Sequence, residues 1–339
     1  MLYKKEALDF LGITRWHELG YKGKGIKFMS DERVTEKNHP DVIVPTGFVD
    51  KNSHGDDVMS HIKLVAPEGE FISYPFAGVF NGSENYDSKT ANYIIENKVH
   101  IFTTSKTGGY PPAGKQKAIQ DCISAGCIFF GCAGNEDKGG IRDEIKYEGF
   151  YAIGGAKPQF NGTSFDWSVI KKTSSSSVGK ELDFVTIAEI IGPTGTSFCS
   201  PIFAGMIGLV QEFFTKKVGR RLTRDEMFKF ILDHCQDLDE EGFDNKTGYG
   251  ILILPEPSTI DIEKYTGGNY VEEDSNVINT AELQIDNKTY IINGEPKDYD
   301  VAPFIKSGRT FVPVRFLEDI GFDIKWVEES QTVIINKKD

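Results

Sequence analysis

The sequence contains no apolar run long enough to cross a bilayer and no start that resembles a signal peptide. A membrane-spanning helix needs roughly 20 predominantly apolar residues, whereas residues 1–9 mix charged with apolar side chains. We therefore expect no membrane span and a cytoplasmic protein as encoded. Export by another route, or release on lysis, stays open.

Basic residues are also scarce relative to acidic ones. The chain has 38 Lys and Arg against 51 Asp and Glu, so its formal net charge is -13. The acids are spread along the chain, which favours solubility and disfavours binding to a phosphate backbone. Nucleic acid is not an expected partner.

Cysteine is present in a number that does not suit a disulfide framework. Such frameworks use even sets of cysteines in oxidising compartments, and this chain has five, mostly inside apolar stretches. We expect small, reduced core residues in a reducing compartment. They are Cys122, Cys127, Cys132, Cys199 and Cys235.

From about residue 22 to 255, short apolar runs alternate with longer segments of helical periodicity. This alternation is typical of an α/β fold with a central parallel sheet covered by helices. The predicted strands are Gly25–Ser30, Gly69–Tyr74, His100–Ser105, Cys127–Cys132, Phe150–Gly154 and Leu182–Ile187. The predicted helices are Ala113–Ser124, Pro201–Phe214 and Thr223–His234.

The pattern changes after the first 255 residues. Residues 256–276 are rich in acids, glycine and proline with little to bury, so this range is interpreted as a linker. Residues 277–339 resume an ordered pattern that predicts a small α+β domain. Its elements are two strands around Asp286–Lys288, a helix at Val314–Ile320 and a closing strand pair through Trp326 and Ile334.

Four short segments carry the residue types that acyl transfer requires: a nucleophile, a base, a carboxylate and an oxyanion donor. Ser197 follows Gly195-Thr196 at the mouth of a helix, and Pro201 suits the first turn of that helix. The other three segments are His54-Gly55, Gly134-Asn135 after an apolar strand, and Asp31-Glu32 after the first strand.

In their order along the chain, which is acid, histidine, Gly-Asn and Gly-Thr-Ser, the four segments resemble the subtilisin-like serine proteases, over roughly residues 8–252. The resemblance implies a subtilisin-like three-layer fold, with a peptidase domain at residues 1–255. Further segments similar to the family lie between the four: Gly20–Gly25, His39-Pro40-Asp41, Val65-Ala66-Pro67 and Gly248-Tyr249-Gly250.

The resemblance implies a serine endopeptidase that acts on protein or peptide substrates. Ser197 would be the nucleophile, His54 the general base and Asn135 the oxyanion donor. Two segments would line the backbone of an extended substrate. They consist of Ser105, Lys106, Thr107 and Gly108, and of Cys132, Ala133 and Gly134.

The acid departs from the family, which has Asp-Ser-Gly or Asp-Thr-Gly where this chain has Asp31-Glu32-Arg33. Counting without gaps from Gly25 forward or from His39 back places Glu32 at the position of the carboxylate. Successive strand side chains face opposite ways, so one acid would orient His54. We predict Glu32 in this role and keep Asp31 as the other candidate, with Arg33 or a backbone donor as its expected partner.

No cofactor and no metal site are predicted. The segment between His54 and Ala66 is shorter than the calcium-binding stretch of the family. We therefore expect that Asp41 lacks the other ligands of a structural calcium ion.

Residues 277–339 resemble the copper amine oxidase N-terminal-like, or stalk, domain of envelope proteins. Despite that name, the range has no His or Cys, so a soft-metal site is not expected. The resemblance implies a cell-envelope or protein partner for this domain. It rests on Pro303-Phe304-Ile305, the run Gly308–Phe316, Gly321 and Trp326.

Two other functions remain open at the level of sequence. Because the acid is altered, the chain could be an inactive pseudoprotease that serves as a binding module. His54, Asp57 and His61 also fall near one helical face, so a metal hydrolase is a further alternative.

Overall fold

The computed structural model describes residues 4–51, 53–74, 84–105, 114–141, 145–146, 148–267, 281–292, 295–306, 309–320, 322–328 and 331–337. The chain divides into two compact units, Met1–Tyr270 and Val271–Asp339. Each unit is considered by itself.

The described part of the first unit contains eight α-helices. They are α1 Lys4–Phe10, α2 Ile13–Glu18, α3 His54–Val65, α4 Glu84–Glu96, α5 Gly114–Ser124, α6 Thr196–Val218, α7 Arg224–His234 and α8 Ile262–Thr266.

Nine strands of the first unit form one sheet, in the order β2-β1-β3-β4-β5-β7-β9-β8, with β6 paired to β5. The strands are β1 Lys27–Ser30, β2 Glu70–Ser73, β3 Ile101–Thr104, β4 Ile128–Cys132, β5 Phe150–Phe160, β6 Phe165–Lys172, β7 Phe184–Ile187, β8 Cys235–Gln236 and β9 Ile251–Leu252.

The sheet is mostly parallel, which confirms the predicted α/β fold class. Only the pairs β5–β6 and β8–β9 are antiparallel. Strand β1 pairs with β2 on one side and with β3 on the other, so the strand order reverses there. In open α/β sheets, ligands bind outside the carboxyl ends of the strands at such a reversal. Strands β1, β3 and β4 therefore direct the segments after Ser30, Thr104 and Cys132 to one region.

Helix α6 is the central helix of the unit. It starts at Thr196 rather than at Pro201 and contacts strands β3, β4, β5 and β7 as well as helix α3. By length and composition α6 could cross a membrane, but 94% of its apolar window is buried inside the fold. Among the described residues it is the one helix that meets this criterion, and it is a core helix.

The five cysteines are free thiols, and all except Cys235 are buried. Burial raises the pKa of the thiols of Cys122, Cys127, Cys199 and Cys235, for Cys122 and Cys235 to about 12. These thiols stay protonated at neutral pH, as expected of core residues.

Part of the range predicted as a linker packs onto the first unit. Residues Pro257–Thr259 form a 3₁₀ helix, α8 follows, and Ile260 and Tyr265 are buried. The Tyr265 ring lies 5.2 Å from the Phe230 ring. Two buried apolar side chains thus anchor a segment whose composition resembles a linker. Residues 268–276 lie outside the described residues.

The second unit is built from short antiparallel sheets. Its strands are β10 Ala281–Glu282, β11 Thr289–Ile292, β12 Glu295–Asp298, β13 Phe304–Lys306, β14 Arg309–Phe311, β15 Phe322–Val327 and β16 Thr332–Lys337. The helix predicted at Val314–Ile320 is a 3₁₀ helix. Tyr290 and Phe316 form the buried centre of this unit.

We expect Tyr265→Ala to lower the free energy of unfolding of the first unit by about 3 kcal/mol, because it removes a buried aromatic ring. Urea denaturation followed by fluorescence measures this. Phe243→Ala is the control, since that ring is 42% exposed. Equal and small effects of the two substitutions would show that residues 256–267 contribute little to the free energy of unfolding, as expected of a linker.

Candidate active site

Two helix N-termini meet at the carboxyl ends of the central strands. Helix α3 begins at His54 and helix α6 begins at Thr196, directly before Ser197. The two helices pack against each other, and the ring of Phe198 lies 5.4 Å from the ring of His54. The structure thus places the segment of the predicted nucleophile next to that of the predicted base, although 142 residues lie between Ser197 and His54 in the sequence.

The acid that contacts the histidine is Glu32. Its Oε1 lies 3.1 Å from His54 Nδ1, and the Glu32 side chain is 7% exposed while that of His54 is 44% exposed. Asp31 faces elsewhere: its Oδ2 accepts a hydrogen bond of 3.0 Å from Thr104 Oγ1. Thr104 is a partner that sequence reasoning missed, because it belongs to another strand.

The backbone of Glu32 is fixed by hydroxyl groups of the neighbouring strands. Ser73 Oγ donates to the Glu32 carbonyl at 2.6 Å, and the Glu32 N–H donates to Ser30 Oγ at 3.3 Å. Both serines end their strands and are fully buried. The carboxylate therefore extends from a backbone that is bonded on both sides.

The chain after Glu32 rests on the first turn of α3. Asp56 Oδ1 accepts the Thr35 N–H at 2.8 Å, and Ser53 Oγ donates to the Arg33 carbonyl. A Cβ atom on Gly55 would lie 2.0 Å from that same carbonyl oxygen. The glycine after His54 is therefore required by the close approach of the acid-bearing loop.

Ser197 is tied to strand β3 through Ser105. The Ser197 hydroxyl lies 3.4 Å from the Ser105 carbonyl oxygen, and Ser105 Oγ donates to the Ser197 carbonyl at 2.5 Å. Pro201 explains why that carbonyl is available: proline has no N–H to donate four residues back. Pro201 lies in the second turn of α6, not in the first as predicted, because the helix begins at Thr196.

Asn135 is oriented by Thr196. Its Oδ1 accepts the Thr196 N–H at 2.9 Å and lies 3.1 Å from Thr196 Oγ1. Since the amide oxygen is occupied, the two N–H bonds of Nδ2 face the other way. Gly195 packs on this amide with φ of 142°, a conformation that L side chains rarely adopt. Thr196 thus positions Asn135, a role that the Gly-Thr-Ser motif alone does not indicate.

The predicted substrate-lining residues are only partly described. Ser105 is buried at the end of β3, whereas Lys106, Thr107 and Gly108 lie outside the described residues. Cys132, Ala133 and Gly134 are buried. Their backbone already bonds within the protein: Ala133 N–H donates to Ile153 and Gly134 accepts from Ser177. These residues can form the floor of a cleft. The backbone atoms that are already bonded within the protein are not available to pair with a substrate strand.

The residues of the metal-hydrolase alternative do not converge. His61 is buried, its Nδ1 lies 2.6 Å from the Asp57 carbonyl oxygen, and its ring stacks on Phe198 at 4.8 Å. Burial lowers the pKa of His61. Among the residues that the structure describes, no three His, Cys, Asp or Glu side chains are grouped closely enough to hold a metal.

Asp41, the residue considered for calcium, has a different partner. Lys63 Nζ hydrogen-bonds to its carboxylate and holds the pKa of Asp41 below its usual value. The Lys63 ammonium group thus supplies the positive charge beside the Asp41 carboxylate.

Curated relatives are proteases. The major intracellular serine protease of Bacillus subtilis (strain 168) is 26% identical over 297 residues, covering 75% of this chain and 89% of the relative. An intracellular serine protease of Paenibacillus polymyxa is 25% identical over 272 residues, covering 69% and 80%.

Solved structures support the fold. A lanthipeptide protease superposes with a TM-score of 0.57 at 16% identity, covering 75% of this chain and 94% of that one. The prenylagaramide maturation protease PagA has a TM-score of 0.59 at 19% identity, covering 76% and 99%.

Family models match both parts of the chain. Residues 270–335 match the copper amine oxidase N-terminal domain, and residues 47–250 match the subtilase family. The second match covers more than half of the chain and contains the histidine, asparagine and serine of the site. The chain belongs to the subtilase family.

Proposed function

We propose that this protein is a serine endopeptidase that hydrolyses peptide bonds through an acyl-enzyme, with Ser197 as nucleophile, His54 as general base and Glu32 as the orienting acid. The observation that supports this most directly is the 3.1 Å contact between Glu32 Oε1 and His54 Nδ1. It stabilises the tautomer with the proton on Nδ1, in which Nε2 is unprotonated and can accept a proton.

In the proposed reaction, Ser197 Oγ leaves its weak 3.4 Å contact with Ser105 and attacks the scissile carbonyl carbon. His54 takes the hydroxyl proton, and Glu32 stabilises the imidazolium that forms. Nδ2 of Asn135 and the Ser197 N–H donate to the oxyanion. His54 then protonates the leaving amine, and a water molecule hydrolyses the acyl-enzyme by the same steps in reverse.

We further propose that the peptide lies along residues 105–108, with residues 132–134 as the floor beneath it. The substrates of this protein would be proteins or peptides inside the cell, as the names of the intracellular relatives suggest. The C-terminal unit would bind a protein or cell-envelope partner. We assign that unit no copper, because residues 277–339 contain no His or Cys.

The first prediction from this proposal concerns the nucleophile. A fluorophosphonate probe should label the intact protein once, at Ser197, and Ser197→Ala should abolish labelling and lower peptide hydrolysis at least about a thousandfold. Mass spectrometry locates the label. Ser168→Ala, on the exposed strand β6, is the control. Absence of labelling in a folded protein would support the inactive binding module instead.

A second prediction separates the two acids. We expect Glu32→Gln to lower kcat by about a thousand- to ten-thousandfold, because the amide cannot stabilise the imidazolium. Asp31→Asn should stay within about tenfold, since its amide oxygen can still accept from Thr104. Steady-state kinetics on one peptide substrate measures both. The opposite ranking would assign the orienting role to Asp31, and two active variants would indicate a Ser-His dyad.

The oxyanion donor gives a third prediction. Asn135→Ala should lower kcat by about a hundred- to a thousandfold and leave KM nearly unchanged, because the donor acts mainly in the transition state. Glu136→Gln, at the adjacent position, is the matched control. A change confined to KM would contradict the assigned role.

A further inference from the structure

One carboxylate beside the proposed catalytic residues has no role in the mechanism. Asp57 lies in the first turn of α3, three residues after His54, and is partly exposed. Within the part of the chain that the structure describes, its carboxylate makes no hydrogen bond and no ion pair. Other acids near this end of the sheet accept hydrogen bonds; they are Asp31, Glu32, Asp56 and Glu136.

The helix end does not need Asp57 for its capping. Ser53 and Asp56 already form a reciprocal capping box at the N-terminus of α3. An additional acid in the first turn gains only a fraction of a kcal/mol from the helix dipole. The free Asp57 carboxylate is therefore available to a ligand.

The loop before the nucleophile leaves this carboxylate uncovered. Gly192 is exposed, and a Cβ atom on it would lie 4.0 Å from Asp57 Oδ1. Because Gly192 has no side chain, the space beside the carboxylate stays open. The same loop continues through Gly195 into Ser197, so Asp57 borders the cleft in which the proposed chemistry takes place.

In the proposed reaction, Asp57 would lie on the leaving-group side of that cleft. The acyl part of a substrate would contact the segment that begins at Ser105, whose carbonyl oxygen lies 3.4 Å from the Ser197 hydroxyl. The departing amine takes its proton from His54 and so leaves on the side of α3. Residues three apart on a helix share a face. The part of the substrate peptide that follows the scissile bond would therefore pass from His54 towards Asp57.

We propose that Asp57 is a specificity-determining residue that selects peptides with Lys or Arg at the first or second position after the cut. This inference rests on the proposed peptidase function and adds its substrate class. A lysine or arginine side chain would form a partly exposed ion pair with the free carboxylate. The net charge of -13 would also draw basic peptides towards the protein.

The test digests a synthetic library of random-sequence peptides with the full-length protein and identifies the cut sites by mass spectrometry. Lys and Arg should be enriched about two- to fivefold at one of the two positions after the cut, as a partly exposed pair allows. The enrichment should weaken with added salt. Asp57→Asn should abolish it, and Asp57→Lys should replace it by a preference for Asp and Glu.

Asp225→Asn is the matched control. Asp225 also lies in the first turn of a helix, its side chain is 97% exposed, and the substitution changes the net charge by the same amount. The control should cut like the wild-type protein. Enrichment that is absent in the wild type, or equally weakened in both variants, overturns the inference while the peptidase function stands.

A binding measurement keeps the inference testable without turnover. Two decapeptides that differ only in carrying Lys or Glu at alternate positions are titrated into Ser197→Ala and into Ser197→Ala combined with Asp57→Asn. The Lys peptide should bind more tightly to the first protein, and the difference should narrow in the second by more than in Ser197→Ala combined with Asp225→Asn. Equal binding by Ser197→Ala overturns the inference. Failure of the wild type to cut any library peptide overturns the peptidase function instead.

Discussion

The relative placement of the proposed catalytic groups depends on two glycines of helix α6. A Cβ atom on Gly205 would lie 2.7 Å from Cβ of Val65, the last residue of α3. A Cβ atom on Gly208 would lie 2.2 Å from the ring of Phe28 in β1. Alanine is favoured over glycine in a helix interior by about 1 kcal/mol, yet here its methyl group has no room.

These contacts set the distance of α6 from its two neighbours. Helix α3 carries His54 at its first residue, strand β1 leads into Glu32, and α6 begins just before Ser197. Three proposed catalytic groups from distant parts of the sequence are thus positioned by one almost fully buried helix. Contacts within the loops then position the acid. The Asp56 carboxylate accepts hydrogen bonds both from the loop after Glu32 and from the start of α3.

The sequence predicted the sheet well because alternating buried strands and amphipathic helices leave periodic signals. It also singled out Ser197, His54 and Asn135, since short motifs surround each of them. The register from Gly25 and His39 indicated Glu32, and the structure places Glu32 beside His54. These are local properties of the chain, readable within windows of about ten residues.

The supporting partners could not be predicted, because they join residues far apart. Thr104 reaches Asp31 across 73 residues, and Ser105 reaches Ser197 across 92. Hydroxyl groups of this kind have no periodicity and no motif of their own. The buried Tyr265 was missed for a related reason: one aromatic ring among polar neighbours gives little hydrophobic signal, although it anchors the segment.

The charge balance of the site follows from the same architecture. Helices α3 and α6 both direct their N-termini at this region, and the partial positive charge of a helix N-terminus favours nearby anions. The Glu32 carboxylate lies there before the reaction, and the proposed oxyanion would form there during it. One packing arrangement thus directs two helix N-termini at the place where negative charge would develop on the substrate.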